Sequence, residues 1–102
     1  MDRFSEPATP PEGEPIDVRR RRLRFRAWHR GTREADLLIG SFADQHLTTF
    51  DAIQLDQFEA ILAHSDPDIY TWMSGGEAVP SDLDTPVMAM MKVHTFDTPR
   101  GG

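Results

Sequence analysis

No cysteine occurs among the 102 residues, so the chain has no disulfide framework and no thiolate nucleophile, and a metal could be held only by histidines and carboxylates. A reducing compartment suits that composition. The longest apolar runs are a few residues, far short of the ~20 needed to span a bilayer. No direct membrane insertion is expected. Period-two alternation is missing too, which leaves helical spacing as the regular pattern in the chain. The opening Met1-Asp2-Arg3-Phe4-Ser5-Glu6 carries acids where organelle-targeting peptides avoid them, and it lacks the apolar centre of a secretory signal. Neither export nor import is expected, and the cytoplasm is the expected location.

Cations are scarce as well, but in one part of the chain. From Glu34 to Asp97 twelve acids face the single cation Lys92, whereas Arg19 to Arg33 holds eight arginines and no acid. A surface so polarised suits a partner. The block from Arg19 to Arg26 could meet nucleic-acid phosphates, yet the formal net charge of -6 opposes this. No nucleic-acid partner is expected, and the plain reading of the block is a solvated helix face.

The length allows one domain of modest burial. Residues 1–15 hold four of the eight prolines and almost nothing large and apolar, a composition that reads as a disordered tail. Residues 97–102 read as a second tail, which leaves 16–96 as the folded domain. Its expected class is all-α, a small single-domain bundle of five helices.

A first helix should start at Asp17 as N-cap and run to Arg30, with Leu23, Ala27 and Gly31 on one stripe and Phe25 and Trp28 beside it. Gly31 supplies the corner. Thr32 or Arg33 restarts the chain into a second helix bearing Leu37, Leu38, Ile39, Phe42 and Ala43 and ending near His46, with Glu34 and Asp36 in its first turn. Asp51 and Gln54 form a capping box for a third, whose stripe is Leu55, Phe58, Ile61 and Leu62. Asp66-Pro67 opens a fourth, with Ile69, Trp72 and Met73 inward, which Gly75-Gly76 stops. The last should begin between Ser81 and Asp84 and present Leu83, Val87, Met90, Met91 and His94.

Chemistry is sparse. His29, His46, His64 and His94 have no carboxylates at metal-ligand spacing, so no metal site is expected. Neither a nucleophile elbow nor a phosphate-cradling glycine loop is present, and no catalytic residue is assigned. An independent enzyme is not expected. Trp28 and Trp72 fit the core or helix packing, as do Met88, Met90 and Met91.

One segment is different. Arg30-Gly31-Thr32-Arg33-Glu34-Ala35-Asp36 gathers unlike charges around a glycine corner, where a backbone can approach another molecule closely. Arg30 offers a planar fork to a carboxylate or a carbonyl, and Glu34 an acceptor one turn on. The same charges could instead close an ion pair within the chain around the bend.

These residues resemble the succinate dehydrogenase assembly factors that promote flavinylation, the flavinator family. The marker is Arg-Gly-x-x-Glu, here Arg30-Gly31-Thr32-Arg33-Glu34 followed by Asp36. Before it stands an arginine-rich helix with an aromatic, and after it come Gly40-Ser41-Phe42-Ala43, Leu55-Asp56-Gln57-Phe58 and Asp66-Pro67-Asp68-Ile69-Tyr70-Thr71-Trp72 in the family's order. The resemblance spans about Arg21 to Val93. It implies a five-helix bundle in a bacterial cytoplasm that acts as an assembly chaperone. The implied partner is the flavoprotein subunit of succinate dehydrogenase or fumarate reductase, which it binds to assist covalent FAD attachment. FAD and its linking histidine then belong to the partner, no cofactor is bound permanently, and the free chain is a monomer. By the resemblance Arg30 and Glu34 are polar contacts to the partner, Gly31 is the point of close approach and Asp36 a supporting acid. The acidic tail and the small Ala35 depart from the family pattern. A generic acidic helical adaptor is the alternative, and a nucleic-acid-binding regulator using the arginine helix a third reading.

Overall fold

The computed structural model describes residues 13–94, and within them the chain is helical without strands. Five α-helices follow in order: α1 (Ile16–Trp28), α2 (Arg33–His46), α3 (Ala52–Leu62), α4 (Asp66–Ser74) and α5 (Pro86–Val93). Single 3₁₀ turns at Leu47–Thr49 and Ser81–Leu83 join α2 to α3 and precede α5. The expected all-α five-helix bundle is what forms. Most of the two expected tails, residues 1–12 and 97–102, and the end of the expected domain at 95–96 lie outside the described residues. Gly13 to Pro15, assigned to the first tail, fall inside them, and the Glu14 carboxylate pairs with Arg22 at 3.0 Å.

The apolar spacing becomes one continuous core. Leu23 and Ala27 of α1, Ile39 and Phe42 of α2, and Leu55, Phe58 and Ile61 of α3 are buried together with Ile69, Trp72, Val87 and Met91. Phe42 lies at an aromatic centre, stacked on Phe58 at 5.7 Å and meeting Phe50 edge-on at 6.1 Å. Such pairs add ~0.5–1.5 kcal/mol each beyond the area they bury.

Helix ends show where local chemistry is decisive and where it yields. The Asp51–Gln54 capping box closes with two reciprocal bonds of 2.9 Å. Thr32 caps α2, its hydroxyl accepting from the Ala35 amide at 3.2 Å, and Gly75 ends α4 at φ 83°. Other boundaries differ from expectation. Pro15 precedes α1 without a side-chain cap, so Asp17 lies in the first turn instead of at the N-cap. In α4 the cap is Ser65, one residue earlier than expected, accepting from the Asp68 amide.

The last helix starts later than its spacing predicts. Ser81–Leu83 forms a separate turn, and α5 begins at Pro86 with Thr85 as cap. Proline holds the residue before it extended, which keeps Thr85 out of the helix. Met88 is accordingly buried and Met90 only half-buried. Phe25, expected beside the inner stripe of α1, is instead exposed and stacks on His29 at 3.9 Å.

Candidate partner-binding corner

The helix α1 stops two residues before its expected end because another acceptor takes its amides. Asp36 Oδ1 receives the Arg30 N–H at 2.6 Å and the Gly31 N–H at 3.2 Å. Those donors can no longer continue the helical ladder. Gly31 then adopts φ 119°, a region that side chains rarely enter, and turns the chain into α2. A Cβ built on Gly31 meets nothing within 4 Å, so its substitution would strain the backbone without creating an internal clash.

Packing between α1 and α2 fixes where that corner points. The Trp28 ring lies flat on Gly40, where a Cβ would come within 2.3 Å of the indole. The indole N–H also donates to Asp44 Oδ1 at 3.1 Å, beside the Arg24 guanidinium at 2.5 Å. Burial raises the Asp44 pKa, but these two donors outweigh it and hold the carboxyl below its ordinary value. Glycine at position 40 is therefore a packing requirement of the helix crossing.

Arg30 is the unexpected residue. Its side chain is 11% exposed, and the guanidinium donates from Nε to Asp66 Oδ1 at 2.7 Å, from Nη1 to the Leu62 carbonyl at 2.9 Å and from Nη2 to the His64 carbonyl at 2.7 Å. The planar fork thus closes the end of α3 and the start of α4, satisfying carbonyls that a helix terminus leaves without partners. Arg30 and Asp36, both expected at the partner interface, are engaged inside the chain. Gly31 and Glu34 are the marker residues that face solvent, and among the described residues Glu34 makes no ion pair. The marker separates into an internal clamp and an external edge.

Two hollows flank that edge and share Thr32. One, of about 590 Å³, is lined by Trp28, His29, Arg33 and Leu37. The other, of about 410 Å³, lies between α2 and α4 and is lined by Ala35, Leu38, Ile39, Pro67 and Tyr70, with Glu34 beside them. Tyr70 is 61% exposed. Its ring was the available signal for this second hollow, since Tyr70 falls off the α4 stripe made by Ile69, Trp72 and Met73. A lone tyrosine at a helical surface position carries no pattern in the sequence.

The arginine block is mostly spent within the fold. Glu59, only 3% exposed, receives Arg19 at 2.8 Å and Arg22 at 2.9 Å, with Arg26 at 3.6 Å. Arg19 also pairs with Asp56 at 2.7 Å, and Arg20 donates to the Phe50 carbonyl at 2.7 Å. Hydrogen bonds that Arg22 donates to Glu14 and Glu59 hold its pKa further above its ordinary value, and the Arg22 bond holds Glu14 below its own. On the helix face expected to be solvated, Arg19, Arg22 and Arg26 gather around the buried Glu59, while Arg21 and Arg24 stay exposed.

A family model described as the flavinator of succinate dehydrogenase matches residues 21–95. The chain belongs to that family. The match has nearly the bounds that the resemblance gave and includes the whole marker. A FAD assembly factor of Acetobacter pasteurianus, SdhE, is 41% identical over 87 residues, covering 85% of this chain and 79% of its own length. Two mitochondrial succinate dehydrogenase assembly factors are 35% identical over 89 residues, 2-B of Drosophila ananassae and 2-A of Drosophila erecta. The alignment covers 85% of this chain and 55% of each Drosophila protein, so the chain spans about half the length of those relatives. In this flavinator chain the described residues contain no group of three or more potential metal ligands and no helix long and apolar enough to cross a membrane.

Proposed function

We propose that this chain is an assembly chaperone that binds the flavoprotein subunit of succinate dehydrogenase and promotes covalent attachment of FAD. The observation that carries the reading is the family marker held at an exposed corner, with Glu34 offered outward and Arg30 fixing the corner behind it. The chain donates no catalytic group. It binds the flavinylation-competent arrangement of the flavoprotein in preference to others, raising that population and orienting the partner's histidine and flavin. FAD remains with the partner, and the chaperone holds no permanent cofactor. Fumarate reductase is a second client, the free chaperone is a monomer, and it works in the bacterial cytoplasm. The internal pairing of Arg19, Arg20 and Arg22 argues against a nucleic-acid role, because their charges are already met within the fold.

Glu34→Gln tests this reading, because it keeps shape and removes charge. In cells with the variant as sole copy, in-gel flavin fluorescence of the denatured flavoprotein subunit should fall sharply. A buried charged hydrogen bond to a partner contributes ~1.5–3 kcal/mol, roughly ten- to a hundredfold in binding. Full fluorescence with the variant would remove Glu34 from the interface, and full fluorescence after complete deletion would reject the assembly role.

A further inference from the structure

The hollow between α2 and α4 has features that the flavinylation reading by itself does not assign. Its floor is apolar, made by Leu38 and Ile39, and its walls are Pro67 and the exposed Tyr70 ring. Ala35 contributes only a methyl group, which leaves the space open. Glu34 lies along this hollow and is exposed. Asp66 also lines it, but its carboxylate is already held by Arg30. No cation lines this side of Thr32, whereas Arg33 lines the other hollow. The two sides of the corner thus differ in charge, and on the α2–α4 side the lining carboxylate left without an ion pair is that of Glu34.

We propose that this hollow is a docking subsite for a segment of the flavoprotein that presents an apolar side chain next to a lysine or arginine. The apolar side chain enters between Leu38 and Tyr70 and covers the Tyr70 ring. The neighbouring cation meets Glu34 at the rim, where opposite charge fixes register and suppresses wrong partners. An aromatic wall, an apolar floor and a polar rim are the anatomy of an energetically dominant contact. The inference rests on the assembly-factor reading and adds the chemistry of the segment recognised.

The test uses the full chain and purified flavoprotein subunit lacking covalent FAD, with affinity measured by calorimetry. Tyr70→Ala removes the wall, and Ala35→Phe fills the space. Each should weaken binding roughly tenfold or more, while helical circular dichroism stays that of the parent. Tyr70→Ala alters an exposed side chain and keeps the test decisive should Ala35→Phe fail to fold. Benzoylphenylalanine placed at position 70 and irradiated should form an adduct on a flavoprotein segment with a lysine or arginine next to an apolar residue. If the parent binds and Tyr70→Ala binds equally well, the subsite is overturned while the assembly role stands. An adduct on a segment without a cation, or between two copies of this chain, overturns the proposed occupant. Failure of the parent itself to bind the flavoprotein would reject the assembly reading, and the subsite with it.

Discussion

Glu59 and Glu34 are the same side chain placed in opposite surroundings. Glu59 lies beneath three arginines of α1 with almost no access to water, and Glu34 stands in solvent beside a glycine corner. The first carboxylate offsets buried positive charge and belongs to the fold. The second pairs with nothing in the described residues, and conformational stability gives no reason for its charge beyond the helix dipole that favours an acid in the first turn of α2. Burial and partners, more than residue type, separate a charge that folds the chain from one that is available to another molecule. Arg30 lies between these extremes, since it is internal in its contacts and external in its consequence.

The comparison is broken most directly at Glu59. In Glu59→Gln the guanidinium groups of Arg19, Arg22 and Arg26 lose their shared counter-charge. Breaking a buried ion pair from one side costs ~3–5 kcal/mol, and partial solvent access of Arg22 and Arg26 places this case near the low end. For a domain of this size the melting temperature should fall by roughly 12 °C or more. A thermal melt followed by circular dichroism that shifts by only a degree or two would show the cluster to be energetically idle.

Arg30→Lys asks whether the internal clamp matters separately. Lysine keeps the charge but cannot reach two carbonyls and a carboxylate as one planar fork. Stability should fall by about 2 kcal/mol, from the charged hydrogen bonds lost. Flavinylation should fall with it, because the corner behind Glu34 loosens. Parent-like stability combined with lost flavinylation would instead make Arg30 a direct contact to the partner.

Gly40→Ala sharpens the comparison from the opposite side, through packing and not charge. Alanine favours a helix by ~1 kcal/mol over glycine, but overpacking against the Trp28 ring costs ~1–3 kcal/mol. The net effect should be a loss of about 1 kcal/mol, read as a lower denaturant midpoint at unchanged slope. A stabilised variant would mean that the indole moves aside freely.

His94 provides a pH test that leaves both glutamates untouched. Its ring bonds to Ser41 Oγ at 2.8 Å, and burial, with nearby His46 adding repulsion, holds it below its ordinary value of 6.5. The unfolded chain then takes up the proton first. Stability is therefore full above about pH 6.5 and declines as pH falls through the folded-state value. Glu14 and Asp44, both depressed, add their loss only in the lower carboxylate range. Melts of His94→Gln should show a flatter pH dependence between neutral and mildly acidic conditions, and an unchanged slope would exclude His94 as its source. Glu34→Gln should have the smallest effect on stability, within ~0.5 kcal/mol, as befits a surface charge without an internal partner. A large drop in its melting temperature would erase the contrast with Glu59.

Helix identity and most of the inward stripes were determined by the sequence, because apolar spacing and caps such as Asp51–Gln54 act within a few residues and are readable in one dimension. The family marker and its neighbouring blocks were legible for the same reason. Boundaries set by competition were not: α1 ends where Asp36, six residues away from Arg30, captures its amide. Tertiary structure alone decided that Arg30 turns inward to the ends of α3 and α4, that the arginine block folds onto Glu59, and that Ala35, Leu38 and Tyr70 share one hollow. Those outcomes depend on side chains separated by tens of residues, and a charge or ring acquires its partners only when packing brings distant helices together.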